Sequence, residues 1–496
     1  MKTKILLFMA AFAMNFALSA ATITVTNDEA SGEGSLLWAY TTAVAEDIIN
    51  FDFDGSEITL PDAVAMKSIT INGLNAHNNQ KVILKQATGK SYFTLASGIT
   101  GTFKNLIFNG TDIAGNTAIN AVNGSTLIVE YCEFVNINAQ ANNGGAMRVQ
   151  GEADITNSLF EGNKTSGGYG GGAICIYHDA DVRIDKCTFV NNSSLSTAGN
   201  PNRSGGGAIV VRGTATAAVP TKLAVSNSTF ANNTSTNFGS AVLSSVQSGT
   251  NFIVNVDIIN CTITGNTSDT TNGAVETHAN SQGTLNLNLI NSIVTYNINS
   301  SGYSDVLENK ESANATYTTE LYNTIYGVSS VTPDAGRNCI VVTAPETANI
   351  FKTLETFATD KKRPVLTDSA GQKYAEIPQN SIANGAGIAT LSGFTIPTVD
   401  QTGYDRPATP SIGAVEYHVS VGLTDAANNE LKMMTKDKAI SFTGLSGINQ
   451  VSVYGLTGNL LHRSLVSNEQ AINLNHLSDN LVIVRIAGES FKVLLK

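Results

Sequence analysis

The chain has 496 residues, and 40 Asp and Glu against 29 Lys and Arg leave a formal charge of −11. Acidity with scattered cations argues against nucleic acid and anionic membranes as partners, because phosphate-rich surfaces select basic ones. Charged residues make up 14% of the chain, sparse against about 25% in an ordinary globular domain, so Asn, Thr and Ser must carry the polar surface.

Residues 1–21 read as a secretory signal peptide. Lys2 and Lys4 give the positive end, Ile5 to Leu18 is almost unbroken apolar sequence, and Leu18-Ser19-Ala20-Ala21 supplies small residues for cleavage. No later run approaches the ~20 apolar residues of a membrane helix. The expectation is an exported, soluble mature chain, secreted or on the cell surface, with no transmembrane segment.

Residues 22–75 read as a cap and first coils. Ile23-Thr24-Val25 is a short strand, and Ser35 is placed to N-cap a helix from Leu36 through Ala45 that carries the only Trp, Trp38. Ile48-Ile49-Asn50-Phe51, Ile58-Thr59-Leu60 and Ile69-Thr70-Ile71-Asn72-Gly73 follow as strands. A stack of coils exposes open strand edges and core at its end, and the helix is the expected lid.

Residues 76–327 repeat. Gly171-Gly172-Ala173-Ile174 returns as Gly144-Gly145-Ala146-Met147 and Gly206-Gly207-Ala208-Ile209. A second element, Ser or Cys followed by x and then Phe, or Ile or Val in the later copies, runs through Cys132, Ser158, Cys187, Ser228, Cys261 and Ser292, with Thr324 as a late variant. Successive spacings are 26, 29, 41, 33, 31 and 32 residues. Within each copy apolar and polar residues alternate with period two, as Val182 and Ile184 do with Arg183 and Asp185, which is strand patterning with one buried face. The expected fold is all-β: a right-handed parallel β-helix with three short strands per coil. Asn105, Asn157, Asn227, Asn260, Asn291 and Asn323 precede the Ser/Cys position, with Tyr131 and Lys186 as exceptions. Asn tolerates left-handed backbone at a tight corner, and stacked coils would set these side chains in a ladder about 4.8 Å apart. Phe134, Phe160, Phe189 and Phe230 should form an internal aromatic stack. Cys132, Cys187 and Cys261 share a position that also accepts Ser, so the five cysteines read as free structural thiols rather than a disulfide framework or metal site.

Aligning the copies at the Ala of Gly-Gly-Ala gives two outward columns. One holds Asn120, Arg148, Cys175, Val210, Leu243 and Glu276; the other holds Val122, Gln150, Tyr177, Arg212, Ser245 and His278. Arg148, Tyr177, Arg212, Glu276 and His278 are therefore candidates to line one groove, where Arg forks and a Tyr face suit an acidic sugar. A lyase would also need a base at the α-proton and charge neutralisation, often from calcium held by several carboxylates. Glu276 stands alone in its column, and paired carboxylates for glycoside hydrolysis are equally hard to place. No residue is assigned a catalytic role. No metal or cofactor site is expected, for there is no nucleotide loop, His-x-x-x-His pattern or Gly-x-Ser-x-Gly elbow.

Residues 328–418 lose the repeat, with Pro333, Pro345, Pro364, Pro378 and Pro397 breaking short apolar pieces; they read as irregular last coils and a C-terminal lid. Residues 419–496 change character. Behind a basic cluster from Lys432 to Lys438 come six short strand-like runs, from Ala439-Ile440-Ser441-Phe442 to Phe491-Lys492-Val493-Leu494, the pattern of a small β-sandwich.

These motifs resemble known families. The Gly-Gly-Ala-Ile and Ser/Cys-x-Phe-x-x-Asn repeats are similar to those of polymorphic outer-membrane proteins and the broader pectate-lyase-like superfamily. Asp400-Gln401-Thr402-Gly403-Tyr404-Asp405-Arg406-Pro407 with Ile412-Gly413-Ala414-Val415-Glu416-Tyr417 resembles the closing segment of choice-of-anchor β-helix proteins. Val453-Tyr454-Gly455-Leu456-Thr457-Gly458, Leu481 to Ile486 and the terminal Lys-Val-Leu-Leu-Lys resemble the sorting domain of the type IX secretion system of Bacteroidota; Asn480-Leu481-Val482 stands where that family usually has Gly-Ile-Tyr. The last resemblance implies passage through the outer membrane by way of the secretion machinery, with attachment outside. An ordinary carbohydrate-binding or spacer sandwich is the alternative. For the solenoid three readings stand: a non-enzymatic surface protein presenting an elongated face to a polysaccharide or cell-surface glycan, a polysaccharide lyase or glycoside hydrolase on an acidic polysaccharide, and a purely structural envelope component.

Overall fold

The computed structural model describes residues 20–495 apart from 112–113, 141, 196–203, 214–218, 248–250, 359, 370, 418–431, 437, 444–448, 457–458, 468–469, 479–480 and 487–488. Most of the signal-peptide reading therefore lies outside the described residues. Two compact units divide between Tyr417 and His418. Among the described residues no helix is long and apolar enough to cross a membrane.

The first unit is a parallel β-helix. Its coils hold four strands each, illustrated by Ile174–Tyr177, Asp181–Asp185, Thr188–Val190 and Ser193–Ser194. The fourth strand, missed by period-two reasoning, is two residues long and too short to alternate. Strands of the coils pair in parallel with their equivalents one coil away: Ile184 with Ile155 and Val225, Phe189 with Phe160 and Phe230. The 41-residue step between Cys187 and Ser228 shifts no register, so the extra length is spent between strands. Paired glycines make the corner before the first strand. Gly171 has φ 76°, and a Cβ there would sit 2.2 Å from the Ile174 carbonyl oxygen, a clash no side chain could relieve.

The corner between the second and third strands is left-handed in eight successive coils, with φ of 53° at Asn105, 55° at Tyr131, 49° at Asn157, 54° at Lys186, 45° at Asn227, 52° at Asn260, 48° at Asn291 and 45° at Asn323. A non-glycine residue in this region costs about 1–2 kcal/mol, and Asn bears it most easily. The geometry is as expected, but the side chains do not form a ladder. Asn105 donates to Asn72 Oδ1 and Asn227 to Asp185 Oδ1, while Asn291 and Asn323 donate to the carbonyls of Ile388 and Ala386.

The ladder lies one strand later, at the Asn that closes Ser/Cys-x-Phe-x-x-Asn. Asn163, Asn192, Asn233, Asn266 and Asn297 are buried, and each donates its side-chain amide to the next Oδ1 at 2.8–3.0 Å. The residue before each, such as Gly162, Asn191 or Asn232, is left-handed in turn and swings the amide inward. The last amide, Asn297, donates to Asp305 Oδ1 at 2.8 Å. Asp305 occupies the coil position of Ala274 and the other alanines of Gly-Gly-Ala, one residue before Val306, which pairs with Val275. It is fully buried, and burial raises its carboxyl to about 7.

Inside, Phe108, Phe134, Phe160, Phe189 and Phe230 stack face to face at 4.6–5.0 Å. The Ser/Cys position is a small buried site whose side chain accepts from the backbone of the coil before it: Ser158 Oγ from Cys132 N, Ser228 Oγ from Cys187 N. All five cysteines are free. Burial pushes the thiols of Cys132 and Cys261 up to about 12, which keeps them protonated and unreactive.

The N-terminal helix is shorter than expected, Leu36–Thr42, with Ser35 Oγ accepting from Trp38 N at 3.2 Å. Leu36, Ala39 and Ala43 close the core there.

Residues 328–417 are not simply a lid over the far end. Ile340–Val341 adds one last strand beside Ile325–Tyr326. The chain then turns back along the flank as a strap. Ile388 brackets Asn291, Ala414 N donates to Thr262 Oγ1, Gln401 reaches Thr229 and Thr188, and Lys373 pairs with Glu161 at 2.5 Å. Its clasp is the buried pair of Arg406 and Glu416, 2.6 Å apart, with Arg406 also donating to Asn227 Oδ1.

The second unit is two small antiparallel sheets over one apolar core of Ile440, Phe442, Val451, Val453, Val482 and Val484 among others. The basic cluster supplies the strand Lys432–Lys436, paired with Ala439–Thr443.

Candidate functional site

The structure places the five candidate residues in the registers expected. Arg148 pairs with Cys175, then Val210, Leu243 and Glu276; Tyr177 pairs with Arg212, then Ser245 and His278. It does not give them a groove, which corrects the expectation. The loops that lead into each Gly-Gly corner fold back over this sheet. Gly170, Gly205 and Phe238 bridge one another as a rudimentary extra strand. Tyr169 and Phe238 pack on Cys175, Tyr177, Val210 and Leu243 as a second small apolar core outside the main one. Tyr177, Arg212, Glu276 and His278 are at most 2% exposed.

Each candidate has partners within the protein. Arg212 lies 3.8 Å over the Tyr169 ring. Arg148 Nε donates to the Tyr177 hydroxyl. Glu276 accepts from Gly239 N at 3.0 Å, Gly273 N at 3.3 Å and Asn309 Nδ2 at 3.2 Å. Burial outweighs those bonds and lifts its carboxyl to about 8. His278 stacks on Phe238 at 4.0 Å, with Nδ1 3.0 Å from Gln247 and Nε2 2.8 Å from Glu311. Burial holds the imidazole below its usual pKa, partly offset by Glu311. Both ring nitrogens of His278 are engaged by Gln247 and Glu311, and the neighbouring Ser245 Oγ, buried in the same column, makes no hydrogen bond to them. Residue types alone could not reveal the roof, since Tyr169, Phe238 and Gln247 lie in loops outside the repeat. Among the described residues no three His, Cys, Asp or Glu side chains gather as a metal would require.

Two other surfaces are open. The long sheet through Thr126–Glu130, Glu152–Thr156, Asp181–Asp185, Thr221–Ser226, Phe252–Ile259 and Gly283–Ile290 buries alternate residues and leaves the others in contact with solvent. Its outward side chains form rows, including Asn286 to Asn255, Asn288 to Asp257, and Arg183 between Asp154 and Asp181. At its edge, where the strap ends, a cleft of about 350 Å³ opens between the corner residues Tyr131, Asn157 and Lys186 and the strap residues Gln372, Tyr374 and Thr402.

The fold and this geometry define the class: a parallel β-helix closed by a capping helix at one end and bound by a strap along one flank. No family model matches the sequence, and no curated protein matches it.

Proposed function

We propose that this is a non-enzymatic, exported β-helix protein that presents its long sheet to a polysaccharide or cell-surface glycan. The observation that carries the reading is the contrast between the sheets: the residues best suited to catalysis are roofed over and bonded internally, whereas the long sheet keeps rows of amide and charged side chains in solvent. Extended rows of such groups match the repeating hydroxyls of a glycan chain, and binding of this kind needs no reacting centre. On this reading the C-terminal sandwich directs export and attachment through the type IX machinery.

A glycan array probed with the full chain, with ultraviolet absorbance followed on uronate-containing polysaccharides, tests it. Binding without a rise in absorbance is expected. A rise would mean an unsaturated sugar and a lyase, and silence in both would leave a structural role or a protein partner.

A further inference from the structure

We infer that the cleft at the strap's end is a subsite for an acidic sugar, with Lys186 receiving the carboxylate and Tyr131 supplying the platform. The inference rests on the glycan reading above and gives it a place and a ligand class. Its starting point is the left-handed corner. Six of the eight corner residues from Asn105 to Asn323 are Asn; the two that are not, Tyr131 and Lys186, stand two coils apart and line the same cleft, with Asn157 between them. Asn would serve the backbone better at both positions, so these side chains answer to something other than the fold.

Their chemistry fits one ligand class. Tyr131 is 52% exposed, an aromatic face of the kind that sugar rings cover. Lys186 makes no ion pair among the described residues. The other charged lining residues, Lys81 and Glu133, neutralise each other at 2.7 Å, so the cleft carries one uncompensated positive charge on a chain of −11. Tyr374 bounds the opposite wall. With coils about 4.8 Å apart, Tyr131 and Lys186 are separated by roughly 10 Å, the span of two sugar units.

The test uses the full chain, a hexamer of galacturonate, and the neutral galactose hexamer as control. The acidic hexamer should bind more tightly than the neutral one and weaken as salt rises from 0.05 to 0.5 M. Lys186→Asn and Tyr131→Asn should each weaken it roughly tenfold or more, while leaving the melting temperature unchanged or higher. That pairing separates a ligand role from a structural one, since a structural side chain would lose stability along with binding. Equal binding by wild type and both variants would overturn the cleft and leave the glycan reading standing. Failure of wild type to bind the acidic hexamer would overturn the acidic-sugar assignment, and the array would then decide whether any glycan binds.

Discussion

The left-handed corner runs the length of the solenoid with one backbone geometry, yet it has two surroundings. At Asn227, Asn260, Asn291 and Asn323 the strap or its clasp lies over it: Arg406 takes Asn227, Ile388 brackets Asn291, and Ala386 accepts from Asn323. At Lys186 the strap still touches the backbone, with Gln372 Nε2 donating to the Lys186 carbonyl at 2.9 Å, but in front of Tyr131, Asn157 and Lys186 it stands off and leaves a cleft. Under the strap every corner residue is Asn: at Asn227, Asn291 and Asn323 the amide both tolerates the backbone and bonds to what covers it, whereas the buried Asn260 side chain meets only the first requirement. Along the cleft the corner side chain meets no covering segment, and Tyr131 and Lys186 stand in place of Asn at two of the three positions. A repeat position thus has two determinants, the turn it must make and the neighbour it must meet, and only the first is common to all coils.

The largest effect should come from breaking the clasp. Arg406→Met leaves Glu416 as a buried, unpaired carboxylate and frees Asn227, a loss of about 3–5 kcal/mol. The expected result is rapid proteolysis within 345–417 and a lower urea midpoint; a strap that stayed protected would show that it is held elsewhere.

Next comes the corner itself. Asn291 exchanges two hydrogen bonds with Ile388, at 2.7 and 3.0 Å, so Asn291→Ala should cost about 2–3 kcal/mol in denaturant unfolding, from the two bonds and the added left-handed strain. Asn157→Ala loses only the backbone preference, about 1 kcal/mol. Equal losses at the two sites would break the comparison.

The smallest effect concerns the roofed column, a covered surface of another kind. Glu276 and Asp305, lifted by burial to about 8 and about 7, hold protons in the folded state that the unfolded chain releases near its ordinary carboxylate pKa. Their contribution is full in acid and is lost as pH rises through 7 and 8. His278, shifted the other way, loses its contribution as pH falls below its ordinary pKa of 6.5, so the test belongs above that. The urea midpoint should fall between pH 6.5 and 8.5, and Glu276→Gln should flatten the slope. A parallel slope in the variant would mean that Glu276 is ionised throughout.

Much of this was legible in the sequence because the repeat supplies its own alignment. The Phe stack, the Ser/Cys position, the corner geometry and the register of both outward columns all follow from counting between equivalent residues, and the Ser35 cap from a local helix-start signal. What failed required contacts between unlike parts. In Asn191-Asn192 and Asn232-Asn233 one residue turns the chain and the other is buried, and identity alone does not say which; the ladder therefore belongs to Asn192 and Asn233. The roof over Arg212 and Glu276 comes from loops whose only regular residues are glycines. The strap has no copy with which to align, and its prolines mark where it breaks without showing that it doubles back.

The buried amide ladder also sets a rule for how such a chain can grow. Each Asn is both donor and acceptor, so a duplicated coil can be inserted between any two of them and the chain of bonds heals around it. The end cannot be an Asn, for its amide would face no oxygen; Asp305, an acceptor placed where the six preceding coils have a small alanine, is the terminator. Molecular length can therefore change by coil duplication upstream of that residue, in steps of about 4.8 Å, without redesigning either end.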